Sequence, residues 1–385
     1  MHEPLYTRRF WLACSVHFCG AMAMSLYILF PLFVRALGGS EFVIGLYAGA
    51  TGAAAVLARV PVGRLLDTHG RRRVLLGAGW LHVAAWLSFF SIRTLGAHAI
   101  LLVIAYGLAS GALFATFFTY ASDITPATRR SEGIAMFGIW GMLPNGLGPL
   151  LGEFLIHHAG FPIYFGVGAA FALASLCLSS LLPETALPET PAPPRRELPE
   201  PVRSAFPTRP FLVLLGTTFL FGAAVNGLFT FLAPYAYARG SGSVGPFFLT
   251  YSLSAVTVRV LSGRLPDRLG LRRVLVPALL GYAAGVMLVP HVTDGLVFLA
   301  VGALCGAGHG YAFPILNVLA FEQVSPAYRG RAVSWSTAMF DLGNTLANPV
   351  LGAVAEWVGY TAMFSVSGCG VLIAVAMVPK RKDER

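Results

Sequence analysis

Long apolar runs, separated by short polar segments that hold most of the charged residues, dominate the chain. Each run has about 20 residues or more, which is the length that an α-helix needs to cross a bilayer. The sequence lacks the alternation of apolar and polar positions that is typical of barrel strands, so the runs predict helices. The twelve runs are approximately 10–34, 41–62, 74–92, 98–121, 131–156, 160–182, 210–238, 243–262, 274–292, 296–321, 331–355 and 359–378.

One polar segment divides these runs into two groups of six. Residues 183–209 are rich in proline and charge and poor in large apolar side chains, which predicts a partly extended linker outside the membrane. We therefore expect an N-terminal six-helix bundle over 1–182 and a C-terminal one over 210–385. The first run follows Arg8 and Arg9, as in a signal peptide, but it is too long for a signal sequence and is predicted to be the first span.

The composition supports an all-α membrane protein with twelve transmembrane helices. Of the 385 residues, 56% are hydrophobic and 11% are charged, whereas soluble proteins have about 25% charged residues. These values exclude a soluble globule and a disordered chain. With twelve spans, all but three of the 27 Lys and Arg residues lie on the side of the two termini; Arg59 and Arg259 are counted there. The positive-inside rule then predicts cytoplasmic termini and a bacterial inner-membrane location.

Several classes of function find no support in the residues. The five cysteines lie inside apolar runs without metal-binding spacing, which predicts no metal site and no disulfide framework. The sequence has no Walker loop, no H-E-x-x-H and no G-x-S-x-G motif, and its loops are too short for a catalytic domain. We expect no cofactor, no enzyme activity and no nucleic-acid partner. A membrane-embedded sensor or enzyme is the alternative; it would place its polar residues near one face rather than at the midplane.

The two halves repeat in a single register. An offset of 200 residues aligns residues that are identical in both halves, and it predicts two pseudo-symmetric copies of a six-helix unit. Secondary transporters use this architecture, with a central site between the halves. The aligned segments are Arg59-Val60 with Arg259-Val260, Gly63-Arg64-Leu65-x-Asp67 with Gly263-Arg264-Leu265-x-Asp267, Gly70-x-Arg72-Arg73 with Gly270-x-Arg272-Arg273, Pro126-Ala127-x-Arg129 with Pro326-Ala327-x-Arg329, and Pro149-x-x-Gly152 with Pro349-x-x-Gly352.

The motif G-x-x-x-D-x-x-G-R-R after the second and eighth spans resembles the loop signature of the major facilitator superfamily, and with the twelve spans and the linker the resemblance, to transporters of the drug or metabolite efflux type, covers the whole chain. Thr68 departs from the family, which usually has a basic residue there. The resemblance implies alternating access and a cytoplasmic latch, in which Asp67 faces the eleventh span and holds the outward-open state. The alternative is a basic loop that only sets topology or, for Asp123 and Arg129, ordinary interfacial ion pairs. The latch candidates are Gly63, Arg64, Asp67, Gly70, Arg72, Arg73, Asp123, Arg129, Gly263, Arg264, Asp267, Gly270, Arg272, Arg273 and Arg329.

The fifth span contains Gly148, Pro149 and Gly152. This Gly-Pro-x-x-Gly segment resembles a fifth-helix motif that marks exporters running as antiporters in the superfamily. The alternative is close helix packing with no bearing on direction, because glycine and proline are frequent in membrane spans.

Two ionisable residues lie near the midplane of predicted spans. Asp341 is in the eleventh span, with Asn344 on the same helix face, and His309 is in the tenth. At the 200-residue offset these positions hold Gly141 and Ala109, so the two residues are confined to one half. Charged residues at mid-bilayer are functional candidates by default. We expect Asp341, aided by His309, to carry a coupling proton; the alternative is a structural hydrogen-bond pair.

The resemblance implies that the first, fourth, seventh and tenth spans line the cavity. Aromatic walls with few charges favour an apolar or amphipathic substrate, and the lack of a basic group at mid-depth argues against multiply anionic ones. The sequence thus predicts a monomeric proton antiporter that exports a small organic compound; the alternative is a proton symporter that imports a sugar or an organic acid. The cavity candidates are Tyr27, Phe114, Phe118, Asn145, Asn226, Phe229, Tyr311 and Asn344.

Overall fold

The structure is a computed structural model that describes residues 4–185, 208–240, 243–263, 265–324 and 329–378. These residues form helices joined by short connections, and none of them is in a strand. The helices of the N-terminal half are α1 (Arg8–Leu26), α2 (Phe30–Ala36), α3 (Glu41–His69), α4 (Arg71–Ser88), α5 (Ala97–Ile124), α6 (Arg130–Met142) and α7 (Pro144–Ser180).

The C-terminal half has the same plan. Its helices are α8 (Arg209–Arg239), α9 (Gly245–Ser262), α10 (Leu265–Leu269), α11 (Leu271–Leu288), α12 (Gly295–Glu322), α13 (Arg329–Trp357) and α14 (Tyr360–Met377). Most of the predicted linker, residues 186–207, lies outside the described residues.

The twelve predicted spans can be followed through these helices. In the described part of the chain, nine helical segments are long and apolar enough to cross a membrane. One of them, Glu132–Ser180, contains two spans, because Gly160 at φ 77° interrupts α7. The remaining two are α9 and α13, which carry Arg259 and Asp341. The chain is therefore an all-α membrane protein with twelve transmembrane helices in two six-helix bundles.

Local sequence explains where several helices begin. Thr7 and Thr208 cap the first helix of each half, accepting hydrogen bonds from Phe10 N and Phe211 N at 3.2 and 3.4 Å. Such caps satisfy backbone donors that a helix start leaves free. Gly70 and Gly270, which the 200-residue offset aligns, have φ of 85° and 94° just before α4 and α11. Only glycine adopts this region without strain.

The two halves meet along two helix pairs, α3 with α13 and α7 with α9. We call the face at which α1 begins and α3 ends the terminal face; the turns at Gly38, Gly160 and Gly359 lie on the opposite face. A buried apolar cluster runs through both bundles and includes the large side chains of Trp86 and Tyr282.

Candidate functional site

Small residues bring α3 and α13 into backbone contact. Gly45 lies against the backbone of Asn348, and Gly49 against Thr345 and Pro349. One turn further toward the terminal face, Gly52 contacts the Asn344 side chain. Membrane helices associate closely where glycines remove side chains from the interface. We call this contact between the halves the glycine seam.

An ion pair closes the terminal end of the glycine seam. Arg59 Nη1 of α3 contacts Asp341 Oδ2 of α13, with the two side chains 26% and 25% exposed. The Arg59 guanidinium also lies over the Phe114 ring of α5, 5.7 Å from its centroid. Phe114 itself is 42% exposed. The pair thus joins the two halves at a place where both side chains remain partly accessible.

The arginine of this pair corrects the sequence analysis. Arg59 and Arg259 were counted with the basic residues of the terminal side, and no basic group was expected at mid-depth. Both lie inside helices α3 and α9. Arg259 Nε donates to the Gly310 carbonyl of α12 at 3.2 Å. The repeat-related arginines therefore have different partners: Arg59 reaches the other half, whereas Arg259 stays in its own.

The two amides on α13 bind each other. Asn348 Nδ2 donates to Asn344 Oδ1 at 2.6 Å, and Asn348 is fully buried. Asn344 is partly exposed and lies one turn from Asp341. The seam face of α13 therefore carries a continuous polar strip within an otherwise apolar bundle.

His309 occupies a separate environment from Asp341. Its Nδ1 lies 2.7 Å from the hydroxyl of Tyr251 on α9. The Phe340 ring stacks on the imidazole at a centroid distance of 6.1 Å. In the described part of the chain, no hydrogen bond or ion pair links His309 to Asp341. The two proton-coupling candidates are thus connected only through Phe340, the residue before Asp341.

The other amide candidates take part in helix contacts. Asn145 Oδ1 accepts a hydrogen bond from the Ser25 hydroxyl of α1 at 2.9 Å. Asn226 Nδ2 donates to the Gly222 carbonyl of its own helix at 2.8 Å. Both side chains are partly exposed, so each amide keeps hydrogen-bonding capacity beyond these contacts.

The aromatic candidates of the N-terminal half divide into two places. The Tyr27 hydroxyl lies 2.9 Å from Thr51 Oγ1, and its ring stacks on Tyr106 at 3.9 Å. Phe114 and Phe118 have ring centroids 5.1 Å apart. Because Phe114 also contacts Arg59, this second pair lies beside the ion pair, whereas Tyr27 lies nearer the opposite face.

The aromatic candidates of the C-terminal half also differ in surroundings. Phe229 packs edge-on against Tyr251, which binds His309, with centroids 5.2 Å apart. Tyr311 binds the Ser262 hydroxyl. Tyr311 also lines a lateral pocket inside its own half rather than the space between the halves. The structure therefore brings Phe229 near His309 and leaves Tyr311 apart from both proton-coupling candidates.

The latch candidates of the first copy form contacts within their own half. Asp123 pairs with Arg71 at 2.7 Å rather than with Arg129. Arg129 instead pairs with Glu132 at 2.6 Å. Arg72 donates its backbone N–H to Glu184 Oε1 at 2.9 Å, beside Gly70.

The residues predicted to contact the eleventh span are free of the other half in this conformation. Gly63, Arg64, Asp67 and Arg73 are exposed. Asp67 makes no ion pair with any described residue. On the terminal side of the Arg59 pair, the described part of the chain has no hydrogen bond or ion pair between the halves. The terminal face is therefore the open one.

The second copy of the loop is described in part. Gly263, Asp267 and Arg273 are exposed, and Gly270 lies at the start of α11, with Arg272 in its first turn. Arg264 and the side chain of Arg329 lie outside the described residues.

Polar contacts across the halves cluster on the opposite face instead. Glu153 of α7 accepts backbone hydrogen bonds from Val244 N at 2.9 Å and Gly245 N at 2.8 Å, and it also accepts one from the Ser243 hydroxyl. The carboxylate thus caps the start of α9 from the other half, where the helix dipole favours a negative charge. Sequence analysis missed this contact, because Glu153 reads as an ordinary solvated residue at a span end.

A second group of polar contacts lies at the other end of the same face. Arg35 pairs with Glu41 at 2.9 Å and donates to the Tyr360 hydroxyl at 3.3 Å. Glu356 accepts a hydrogen bond from Phe42 N at 2.9 Å. With Glu153, these contacts close the opposite face at both helix pairs that join the halves.

The fifth-helix motif lies against α1. Gly148 packs on the backbone of Ser25, and Gly152 on the Leu29 side chain. Pro149 is buried between them. The motif therefore has a local structural role, which is close packing of the fifth span on the first.

Groups of His, Cys, Asp and Glu side chains that could hold a metal ion are not found among the described residues. The arrangement is that of two bundles around a polar seam, with one accessible ion pair between them. Such a site can bind a proton or a polar solute and change its partners when the halves move.

Comparison with known proteins gives one family. The chain is 26% identical to the probable nitrate/nitrite transporter NarK2 of Mycobacterium tuberculosis, over 84% of this chain and 81% of that protein. It is 21% identical to the staphylopine export protein of Staphylococcus aureus, over 92% of this chain and 90% of that protein.

The fold is similar to that of solved transporters. The crystal structure of the nucleoside transporter NupG aligns with a TM-score of 0.81 at 14% identity, over 97% of this chain and 100% of that chain. The family model of the Major Facilitator Superfamily matches residues 12–270 and 241–385. Because these matches together span nearly the whole sequence, the chain belongs to the major facilitator superfamily.

Proposed function

We propose that this membrane transporter is a proton-coupled antiporter that exports a small apolar or amphipathic organic compound by alternating access. The observation that carries the proposal is the ion pair between Asp341 and Arg59 at the end of the glycine seam. It is an ionisable contact between the halves, inside the membrane-spanning helices and partly accessible. Residues of this kind within membrane spans mark proton and ion pathways.

Two opposing influences act on the Asp341 carboxylate. Removal from water favours its neutral form, and the Arg59 guanidinium favours its ionised form. A carboxylate for which these forms are close in free energy can take up a proton and release it within one cycle. When Asp341 is neutral, the attraction that joins α3 to α13 here is lost, so proton binding is coupled to the contact between the halves.

Alternating access uses the asymmetry of the two faces. Glu153 and Glu356 bind across the halves on the opposite face, whereas Asp67 is exposed on the terminal face. We propose that the reverse state breaks the first contacts and engages Asp67 with the start of α13. Asp67, Gly63 and their second-copy counterparts then form the latch of the terminal face.

The direction of transport follows from two supports. The Gly148-Pro149-x-x-Gly152 segment resembles the fifth-helix motif of exporters, and it packs directly on α1. One relative of similar length is named as an export protein. With the basic residues gathered toward the terminal face, we propose that both termini are cytoplasmic, in a bacterial inner membrane, and that the protein works as a monomer.

Inside-out membrane vesicles with an imposed pH gradient, acidic inside, test the proposal. A panel of small organic compounds is added outside, and the lumenal pH is followed with a fluorescent dye. An antiporter moves protons out of the lumen as the substrate enters, so the lumen becomes more alkaline with wild-type protein. Asp341→Asn is expected to abolish this signal, whereas Asp294→Asn, on an exposed acid at the opposite face, should keep it. Unchanged proton movement in Asp341→Asn would remove Asp341 from the mechanism.

A second candidate function rests on the two arginines. Arg59 and Arg259 are related by the repeat and lie inside helices, which favours an anionic substrate over an apolar one. A relative that covers most of the chain is named as a nitrate/nitrite transporter. The second candidate is a proton symporter that imports an organic acid. In the same vesicles, symport would make the lumen more acidic as the anion enters, the opposite of antiport.

A further inference from the structure

A lateral pocket of about 370 Å³ lies within the C-terminal half, away from the seam between the halves. It is formed by α10, α11 and α12, close to the terminal face. Arg273 is its charged lining residue; the other walls are almost wholly apolar. The remaining lining residues are Leu265, Leu269, Val274, Pro277, Ala278, Gly281, Leu304, Ala307, Gly308 and Tyr311.

Two glycines create the space. Gly308 lies against the backbone of Ala278, which draws α12 close to α11. A Cβ at Gly281 would lie 3.2 Å from Leu304 Cδ1, so any larger side chain there would enter the pocket. At the 200-residue offset, Gly281 and Gly308 correspond to Leu81 and Leu108. The pocket is therefore a feature of the second half, not of the repeated scaffold.

The shape and surroundings of the pocket match a lipid chain. From Arg273 to Gly281 the helix rises about 12 Å, at 1.5 Å per residue, so the pocket runs along the helix axes. Leu269 and Leu304 are 50% and 40% exposed at its edge. In a membrane protein, such exposed leucines face hydrocarbon, so the pocket opens to the lipid rather than to water.

The charge at one end specifies the head group. Arg273 is exposed in the first turn of α11, together with Arg272, and that turn has no acidic residue. Helix starts carry a partial positive charge and ordinarily favour acidic side chains. Two arginines there increase the positive potential, which an anionic phosphate would neutralise. Basic pockets between membrane helices are known sites for anionic lipid head groups.

We propose that this pocket binds an anionic phospholipid, with an acyl chain between α11 and α12 and the phosphate at Arg273. The site is distinct from the transport pathway, and the inference does not depend on the proposed direction or substrate. A bound lipid there would fill the space that Gly281 and Gly308 leave between the helices.

Native mass spectrometry of the purified transporter tests this inference. Delipidated protein is titrated with phosphatidylglycerol or with phosphatidylcholine of the same acyl chains, and the tightest-bound lipid is quantified. Wild-type protein should bind phosphatidylglycerol more tightly. Arg273→Gln should weaken that binding about fivefold, the effect of about 1 kcal/mol per arginine, and should remove the preference over phosphatidylcholine.

Filling the pocket gives the second arm. Gly281→Leu should eliminate tight binding of both lipids, and Ala307→Phe closes the same space from α12 if the first variant does not fold. The controls are the repeat-related Arg73→Gln and Gly77→Leu, which adds the same side chain to open space on α4. Both controls should bind lipid as wild type does. The proposal is overturned if Arg273→Gln keeps the lipid preference, or if the filled variants bind like wild type.

Discussion

The contact that Glu153 makes across the halves predicts a measurable shift between conformations. Its carboxylate accepts two backbone hydrogen bonds at the start of α9 and a third from Ser243. These bonds exist only while the opposite face is closed. Glu153→Ala removes them without touching the glycine seam or the Arg59 ion pair.

The size of the effect follows from the hydrogen bonds lost. A hydrogen bond to a charged group contributes about 1.5–3 kcal/mol. Because Glu153 is partly exposed, water replaces part of the interaction, and we take about 2 kcal/mol for the whole contact. That energy changes the ratio of the two states about thirtyfold, since about 1.4 kcal/mol corresponds to a factor of ten.

Spin labels at His157 and Leu296 report the opposite face, because both residues are exposed there and lie in different halves. The exposed Cys177 and Cys369 would first be replaced. Distance distributions from double electron–electron resonance should move toward longer separations in Glu153→Ala. Asp294→Ala is the matched control: Asp294 caps α12 through Val297 N at 3.0 Å, but within one half. An unchanged distribution in Glu153→Ala, or an equal shift in the control, would refute the role of Glu153 in closing this face.

Three further predictions concern the seam, the latch and the repeated turn. In a double-mutant cycle of Arg59→Gln and Asp341→Asn, thermal unfolding should give a coupling energy of about 2 kcal/mol, because each single variant leaves one charge unpaired; additive effects would contradict the pairing. Asp67→Asn should reduce transport while membrane insertion, measured by the amount of protein in the membrane, stays at the wild-type level; full transport would argue against the latch. Gly270→Ala should lower the unfolding temperature through about 1 kcal/mol of backbone strain, since φ is 94° and no atom lies near its Cβ position; an unchanged unfolding temperature would show that the turn relaxes.

The fold could be predicted from sequence because a bilayer sets strict requirements. A span needs about 20 apolar residues with every backbone group bonded internally, so apolar runs and charged loops marked the helices directly. The repeated glycines were equally informative, and Gly70 and Gly270 do adopt matching positive φ values. Such local constraints are written in adjacent residues.

Contacts between the halves left no comparable signal. Arg59 lies ten residues before the end of α3, where an arginine looks like part of the basic loop, and its partner Asp341 is in the other half. Glu153 looked like a solvated residue at a span end, although its carboxylate caps a helix from the other bundle. Both contacts depend on how two bundles dock, which no short segment of sequence encodes.

The different partners of Arg59 and Arg259 also bear on how a duplicated protein acquires a single site. At the position that corresponds to Asp341, the first half has Gly141, and the His17 ring lies directly against it. A carboxylate at that point would collide with the imidazole, so Arg259 could not gain the partner that Arg59 has. One glycine packed under a histidine thus breaks the internal symmetry of the molecule. A proton taken up at Asp341 changes the charge of only one member of this repeat-related pair, which gives two nearly equal bundles unequal parts in the same movement.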